Sequence, residues 1–126
     1  MFRKATPVIF VEAIEPVLAF WTALGFEATV QVPEGDQLGF VILARGEIEI
    51  MYQSRASVAK DVPALAVEPF GSRTNLFVEV DDLAEVMAKL ESAPVVVPER
   101  RTFYGAHEIG VRAPCGTVVI FAEMEA

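Results

Sequence analysis

The sequence predicts an α+β fold built from two consecutive βαβββ units. Three observations carry that prediction. First, strand, helix and three further strands can be read twice along the chain. Second, short segments recur: Phe10-Val11-Glu12 returns as Phe77-Val78-Glu79, and Val11-x-x-Ile14 returns as Val80-x-x-Leu83, at offsets of 67 and 69. Both offsets are odd, so they assign a side chain to the same strand face. Third, the chain closes on a hairpin pattern. Ile109 and Val111 alternate with Glu108, Gly110 and Arg112, the Ala113-Pro114-Cys115-Gly116 turn follows, and Val118 opens a run apolar enough for a strand covered on both faces.

Each element has its own local reason. Residues 8–11 are β-branched and aromatic, which suits a strand. Glu15-Pro16 opens a helix, because proline at the first turn gives up an N–H that would have no helical partner. The helix over residues 17–24 carries Val17, Leu18, Phe20, Trp21 and Leu24, apolar nearly all round, and is therefore buried, with Trp21 in the core. Gly25 ends it. Strands are predicted over residues 26–32, 38–44 and 47–53, with a turn at Pro33-Glu34-Gly35-Asp36 and another at Arg45-Gly46. Residues 54–70 show no full-length element; one or two helical turns fit between Ser57 and Leu65. The second unit starts with a strand over residues 74–80. Asp82 with Glu85 three residues later forms a capping-box pattern, and Leu83, Val86, Met87 and Leu90 make an amphipathic stripe. A strand over 95–98, extending to 102, precedes the closing hairpin. The expected organisation is a single domain, 1–126, of two tandem modules, about 1–53 and 74–126, joined by a linker at 54–73.

Composition narrows the function. The chain has 126 residues, 53% of them hydrophobic, enough to bury a core without staples. One cysteine rules out an internal disulfide framework, and one histidine with one cysteine rules out most zinc arrangements. The net charge of −8 and the scattered Lys and Arg, with Arg100-Arg101 the only notable pair, argue against nucleic acid. No apolar run is long enough for a membrane helix. The opening MFRKATPVIFVEAIEP turns from basic to apolar, but Glu12 and Glu15 interrupt it, so it reads as the start of a cytoplasmic chain. There is no glycine-rich phosphate loop, no CxxC, and no Ser-His-Asp set to assemble. Cys115 lies in the hairpin turn with only Arg112 near in sequence, so no nucleophilic role is assigned.

The duplicated βαβββ pattern, the helix end Ala19-Phe20-Trp21-x-x-Leu24-Gly25-Phe26 and the ending Tyr104-Gly105-Ala106-His107-Glu108 … Ala113-Pro114-Cys115-Gly116 … Ile120-Phe121-Ala122-Glu123 resemble the vicinal oxygen chelate superfamily. That family includes glyoxalase I, the extradiol dioxygenases, the fosfomycin-resistance transferases and the bleomycin-resistance proteins. The tail is most similar to the bleomycin-resistance branch. The resemblance implies two modules curling into a cup-shaped mixed sheet with helices outside, and a metal in the cup of the enzymes. It places the family's metal-ligand positions at Thr6, Glu49, Asn75 and Ile120. Only Glu49 is a good ligand, so the expectation is no metal and no cofactor.

The candidate ligand-binding residues are Phe40, Glu47, Glu49, Asn75, Tyr104 and His107. Alternation through residues 47–51 puts Glu47, Glu49 and Met51 on one strand face. That face is either solvated or set against a cationic ligand group. His107 is either a structural residue or a ligand contact. Phe40 and Tyr104 supply aromatic surface, and Tyr104 a hydroxyl as well. No catalytic residue is assigned. The leading reading is a metal-free protein that sequesters a small molecule, cationic and partly aromatic, and confers antibiotic resistance as a homodimer. The alternatives are a metal-dependent lyase, isomerase or dioxygenase, and a structural or regulatory subunit with a vestigial cup.

Overall fold

A computed structural model describes residues 3–66, 74–90 and 92–125. The chain divides into two compact units, Met1–Gly71 and Ser72–Ala126. The first runs β1 (Val8–Val11), α1 (Glu15–Ala23), β2 (Glu27–Glu34), β3 (Gln37–Arg45), β4 (Ile48–Ser54), α2 (Arg55–Asp61) and α3 (Pro63–Ala66). The second runs β5 (Leu76–Glu79), α4 (Leu83–Lys89), β6 (Val95–Arg101), β7 (Ala106–Arg112) and β8 (Val118–Met124). The sheets are ordered β1-β4-β3-β2 and β5-β8-β7-β6. In each, the first strand pairs parallel with the last, and the other pairings are antiparallel. The fold is α+β with two mixed four-stranded sheets, as two βαβββ modules require.

In the first unit Val41, Leu43, Ile50 and Tyr52 bury one sheet face together with Ile14, Val17 and Trp21 of the α1 region. The helix ends as a Schellman motif: the Gly25 N–H donates to the Thr22 carbonyl at 3.0 Å and the Phe26 N–H to the Trp21 carbonyl at 3.1 Å. Phe26 and Trp21 supply the accompanying apolar contact, their rings edge to face at 4.9 Å. Gly25 has φ +91°, and a Cβ there would lie 1.7 Å from Arg45 Nη1, which donates to the Leu24 carbonyl at 2.9 Å. Only glycine serves at that corner.

In the second unit Leu83, Ile109, Val111, Val119 and Phe121 form the buried face. Asp82 caps α4 by accepting the Glu85 N–H at 3.2 Å, and Glu123 accepts the Leu83 N–H at 2.9 Å, tying the helix to β8. The Glu85 side chain instead reaches Lys89, so only half of the expected capping box forms.

Several boundaries differ from the sequence reading. The Arg45–Ile48 pairing leaves a two-residue turn, Gly46-Glu47, with Gly46 at φ +59°, so Glu47 is an exposed turn residue and not part of β4. The earlier turn contracts to Gly35-Asp36, because Pro33 and Glu34 continue β2 through a register shift. The segment expected to connect the modules carries α2 and α3; Ser54 caps α2, and Val58 is fully buried. The rest of that segment, residues 67–73, lies outside the described residues. Strand β8 is covered only in part on its second face: Val119 and Phe121 are buried on one side, whereas on the other Ala122 is buried but Val118 and Ile120 stay partly exposed.

Candidate functional site

Strand alternation gives each sheet a second face, turned away from its apolar core. In the first unit that face holds Val8 and Phe10 of β1, Glu49, Met51 and Gln53 of β4, and Phe40 and Ile42 of β3. Val8, Val30 and Val32 are exposed, and Phe10, Phe40, Ile42 and Met51 half-buried. Glu49 accepts from Lys4 Nζ at 2.8 Å, an ion pair on the flank of a mainly apolar surface, where the polar Gln53 donates to Ser57 and Asp61. Phe40 and Glu49 share the face but sit at opposite ends: Phe40 pairs with Gln53, four residues from Glu49, roughly 13 Å along the strand.

In the second unit the corresponding face holds Phe77 of β5, Ile120 and Ala122 of β8, and Glu108 and Gly110 of β7. The side chain of Glu108 is wholly buried. A charge there must be partnered. Its Oε1 accepts from the Tyr104 hydroxyl at 2.5 Å, and its Oε2 accepts from Arg100 Nε at 3.0 Å and Nη2 at 2.9 Å. The Arg100 side chain is itself 56% exposed. The bond to Glu108, then burial, holds the Tyr104 phenol above its ordinary value of 10.0, so it remains a donor at neutral pH. Phe77 lies 6.5 Å from the Tyr104 ring, and Phe103 packs on it edge to face at 5.1 Å. Arg100, Glu108, Tyr104 and Phe77 thus form a polar centre with aromatic flanks.

The remaining candidates fall elsewhere. His107 takes the opposite face of β7 from Glu108, with its Nε2 2.5 Å from Glu99 Oε2. Asn75 is exposed, one residue before β5. The sequence reading passed over Arg100 and Glu108 as site residues. One signal was present: Glu108 is a lone carboxylate in a strand whose next residues, Ile109, Gly110 and Val111, are all buried.

The residues do not fit a resident metal. Of the four family positions, Thr6 offers a hydroxyl, Asn75 an exposed amide and Ile120 nothing, while Glu49 is engaged by Lys4. Among the described residues, no three His, Cys, Asp or Glu side chains converge as a metal site would need.

A family model described as the glyoxalase/bleomycin resistance protein/dioxygenase superfamily matches residues 5–121. The chain belongs to that superfamily. Solved structures agree on the fold. A superfamily member from Nocardioides is 21% identical, with a TM-score of 0.73, over 99% of this chain and 86% of that one. A bleomycin-binding protein complexed with bleomycin is 20% identical, with a TM-score of 0.64, over 98% of this chain and all of the other. A lactoylglutathione lyase from Agrobacterium tumefaciens is 17% identical, with a TM-score of 0.67, over 96% of this chain and 92% of that one. At these identities the likeness concerns fold alone. A comparison with curated proteins found no match. Among the described residues no helix is long and apolar enough to cross a membrane.

Proposed function

We propose that this superfamily member binds and sequesters a small molecule with aromatic or extended apolar surface, without a metal and without transforming it. One observation carries the reading. The second face of each sheet is lined mainly by aromatic and aliphatic side chains; of its carboxylates, Glu49 and Glu108 are already held by Lys4 and by Arg100 with Tyr104, and Glu79 stands exposed on the edge strand β5. Such a surface offers stacking and apolar contact, and no free general base among these strand-centre groups. The bleomycin complex of a relative with the same fold supports ligand binding as the use of this architecture. A cationic ligand group, if it sought Glu49, would have to displace Lys4. Of the expected set, Phe40 and Glu49 serve as ligand-facing residues on the sheet of the first unit and Tyr104 on that of the second, whereas Glu47 lies in a turn, Asn75 precedes β5 and His107 takes the opposite face of β7 from Glu108. Resistance to an antibiotic through sequestration, in a cytoplasmic homodimer, completes the proposal.

The lyase relative represents the competing enzyme reading. A metal-dependent lyase, isomerase or dioxygenase would need donors that Thr6, Asn75 and Ile120 do not provide. The test is binding followed by recovery. Bleomycin and a panel of aromatic compounds are titrated by calorimetry, and each ligand is recovered from the protein and analysed by mass spectrometry. Saturable binding with unchanged ligand is expected; a chemically altered product would overturn sequestration.

A further inference from the structure

We propose that Arg100 reads a carboxylate on the ligand, so that the preferred small molecule is an aromatic carboxylate whose ring lies against Phe77 and Tyr104. This inference rests on the sequestering reading above and adds the chemical class. The two charges of the Arg100–Glu108 pair cancel, but their exposures are unequal: Glu108 is wholly buried, whereas Arg100 is 56% exposed. Any incoming group therefore meets the guanidinium and not the carboxylate. Glu108 takes the Nε–H and one Nη2 proton, both on a single oxygen. A guanidinium has five donors; with Tyr104 also hydrogen-bonded to Arg100, two remain, enough for the two oxygens of a carboxylate.

Position is fixed before the ligand arrives. Glu108 is anchored in β7 between buried neighbours, and the Tyr104 hydroxyl occupies its other oxygen, so the guanidinium plane is held from behind. Preorganisation of this kind lowers the ordering cost of binding. The aromatic part of the class follows from the same cluster. Phe77 is 49% exposed, and Phe103 and Tyr104 are also exposed, leaving ring surface beside the cation. One acidic group shares the row: Glu79 pairs with Ala122, which pairs with Glu108. It stands two strand spacings from Glu108, about 10 Å, a distance at which water and salt screen exposed charges.

The test compares three probes of one shape: 2-naphthoate, 2-naphthylmethanol and 2-naphthylmethylamine. Calorimetry on the full chain should give naphthoate at least about tenfold tighter binding than the other two, as a charge-assisted bond requires. The double variant Arg100→Gln with Glu108→Gln replaces the ion pair by two amides and leaves no buried charge. It should bind all three alike. Equal or tighter binding of the amine or alcohol to the native protein would overturn the inference and leave sequestration standing. So would a preference for naphthoate that persists in the double variant. No binding of any probe would overturn the inference and, with a failed bleomycin titration, the sequestering reading too. Should the double variant not fold, the Arg100 Nε–H resonance of the native protein decides: it should shift on titration with naphthoate and not with the alcohol, and an unmoved resonance refutes the assignment.

Discussion

The indole Nε1 of Trp21 donates to the hydroxyl of Tyr52 at 2.8 Å, and both side chains are fully buried. This bond ties α1 to the middle of β4, where Tyr52 lies between Ile9 and Val41 in the sheet. Removing the hydroxyl takes an acceptor from a buried donor. The Tyr52→Phe variant is expected to lose about 1–2 kcal/mol of stability. Urea unfolding should show the loss as a lower midpoint at unchanged slope.

Gly25 meets two demands at once, a positive φ and space for Arg45. Gly25→Ala is expected to cost about 1–2 kcal/mol from the left-handed backbone alone. It must also push Arg45 off the Leu24 carbonyl. In an Arg45→Ala background the same substitution should cost less, since only the backbone term remains. A double-mutant cycle in denaturant measures the difference, and strict additivity would refute the crowding account.

Acid sensitivity has an assignable source in the first unit. Glu15 accepts the Leu38 N–H at 2.8 Å, and that bond holds its carboxyl below the ordinary value of 4.5. Glu12 is likewise lowered, first by its bond to Arg55. A carboxyl whose folded value lies below the unfolded one contributes stability above the unfolded value and loses it as pH falls through the folded value. Stability should therefore decline below about pH 4.5, more steeply in the native protein than in Glu15→Gln. Thermal midpoints across pH 3–7 would show it, and parallel curves would remove Glu15 from the account.

Phe77 contributes ring surface but little core, being half exposed. Phe77→Ala is expected to weaken an aromatic probe by roughly threefold to tenfold while barely moving the unfolding midpoint. Calorimetry beside a melting curve separates the two effects.

The mismatch at the metal positions predicts indifference to divalent cations. About 1 mM nickel, manganese or zinc should move the melting midpoint by less than about 1 °C, because only a ligand that binds the folded state raises it. Elemental mass spectrometry should find no stoichiometric metal in the purified protein. A clear stabilisation or a bound equivalent would return Thr6, Glu49, Asn75 and Ile120 to consideration and favour the enzyme reading.

The sequence by itself determined the duplicated architecture. Local chemistry was enough for that: Pro16 and Gly25 bracket α1, Asp82 caps α4, and the repeated Phe-Val-Glu put Phe10 and Phe77 on the same kind of strand face. It also placed Trp21 in the core, but the helix as a whole is not buried: only Val17 and Trp21 of α1 are buried, Leu18 and Phe20 are half-buried, and Ala19, Thr22 and Ala23 are exposed, so α1 packs one face on the sheet. The exact turn at Gly46-Glu47 and the helices in residues 55–66 were less legible, since one residue of register or a short buried apolar patch leaves little periodic trace. Only tertiary structure decided the site. Arg100, Tyr104 and Glu108 lie on β6, the following loop and β7, and their meeting depends on cross-strand register across a register shift in the β6–β7 ladder. Alternation told which face Glu108 takes, but not that the face would bury it, nor that Arg100 would neutralise it and stay half in solvent. Burial and charge pairing are properties of the packed sheet, and no single segment of the chain contains them.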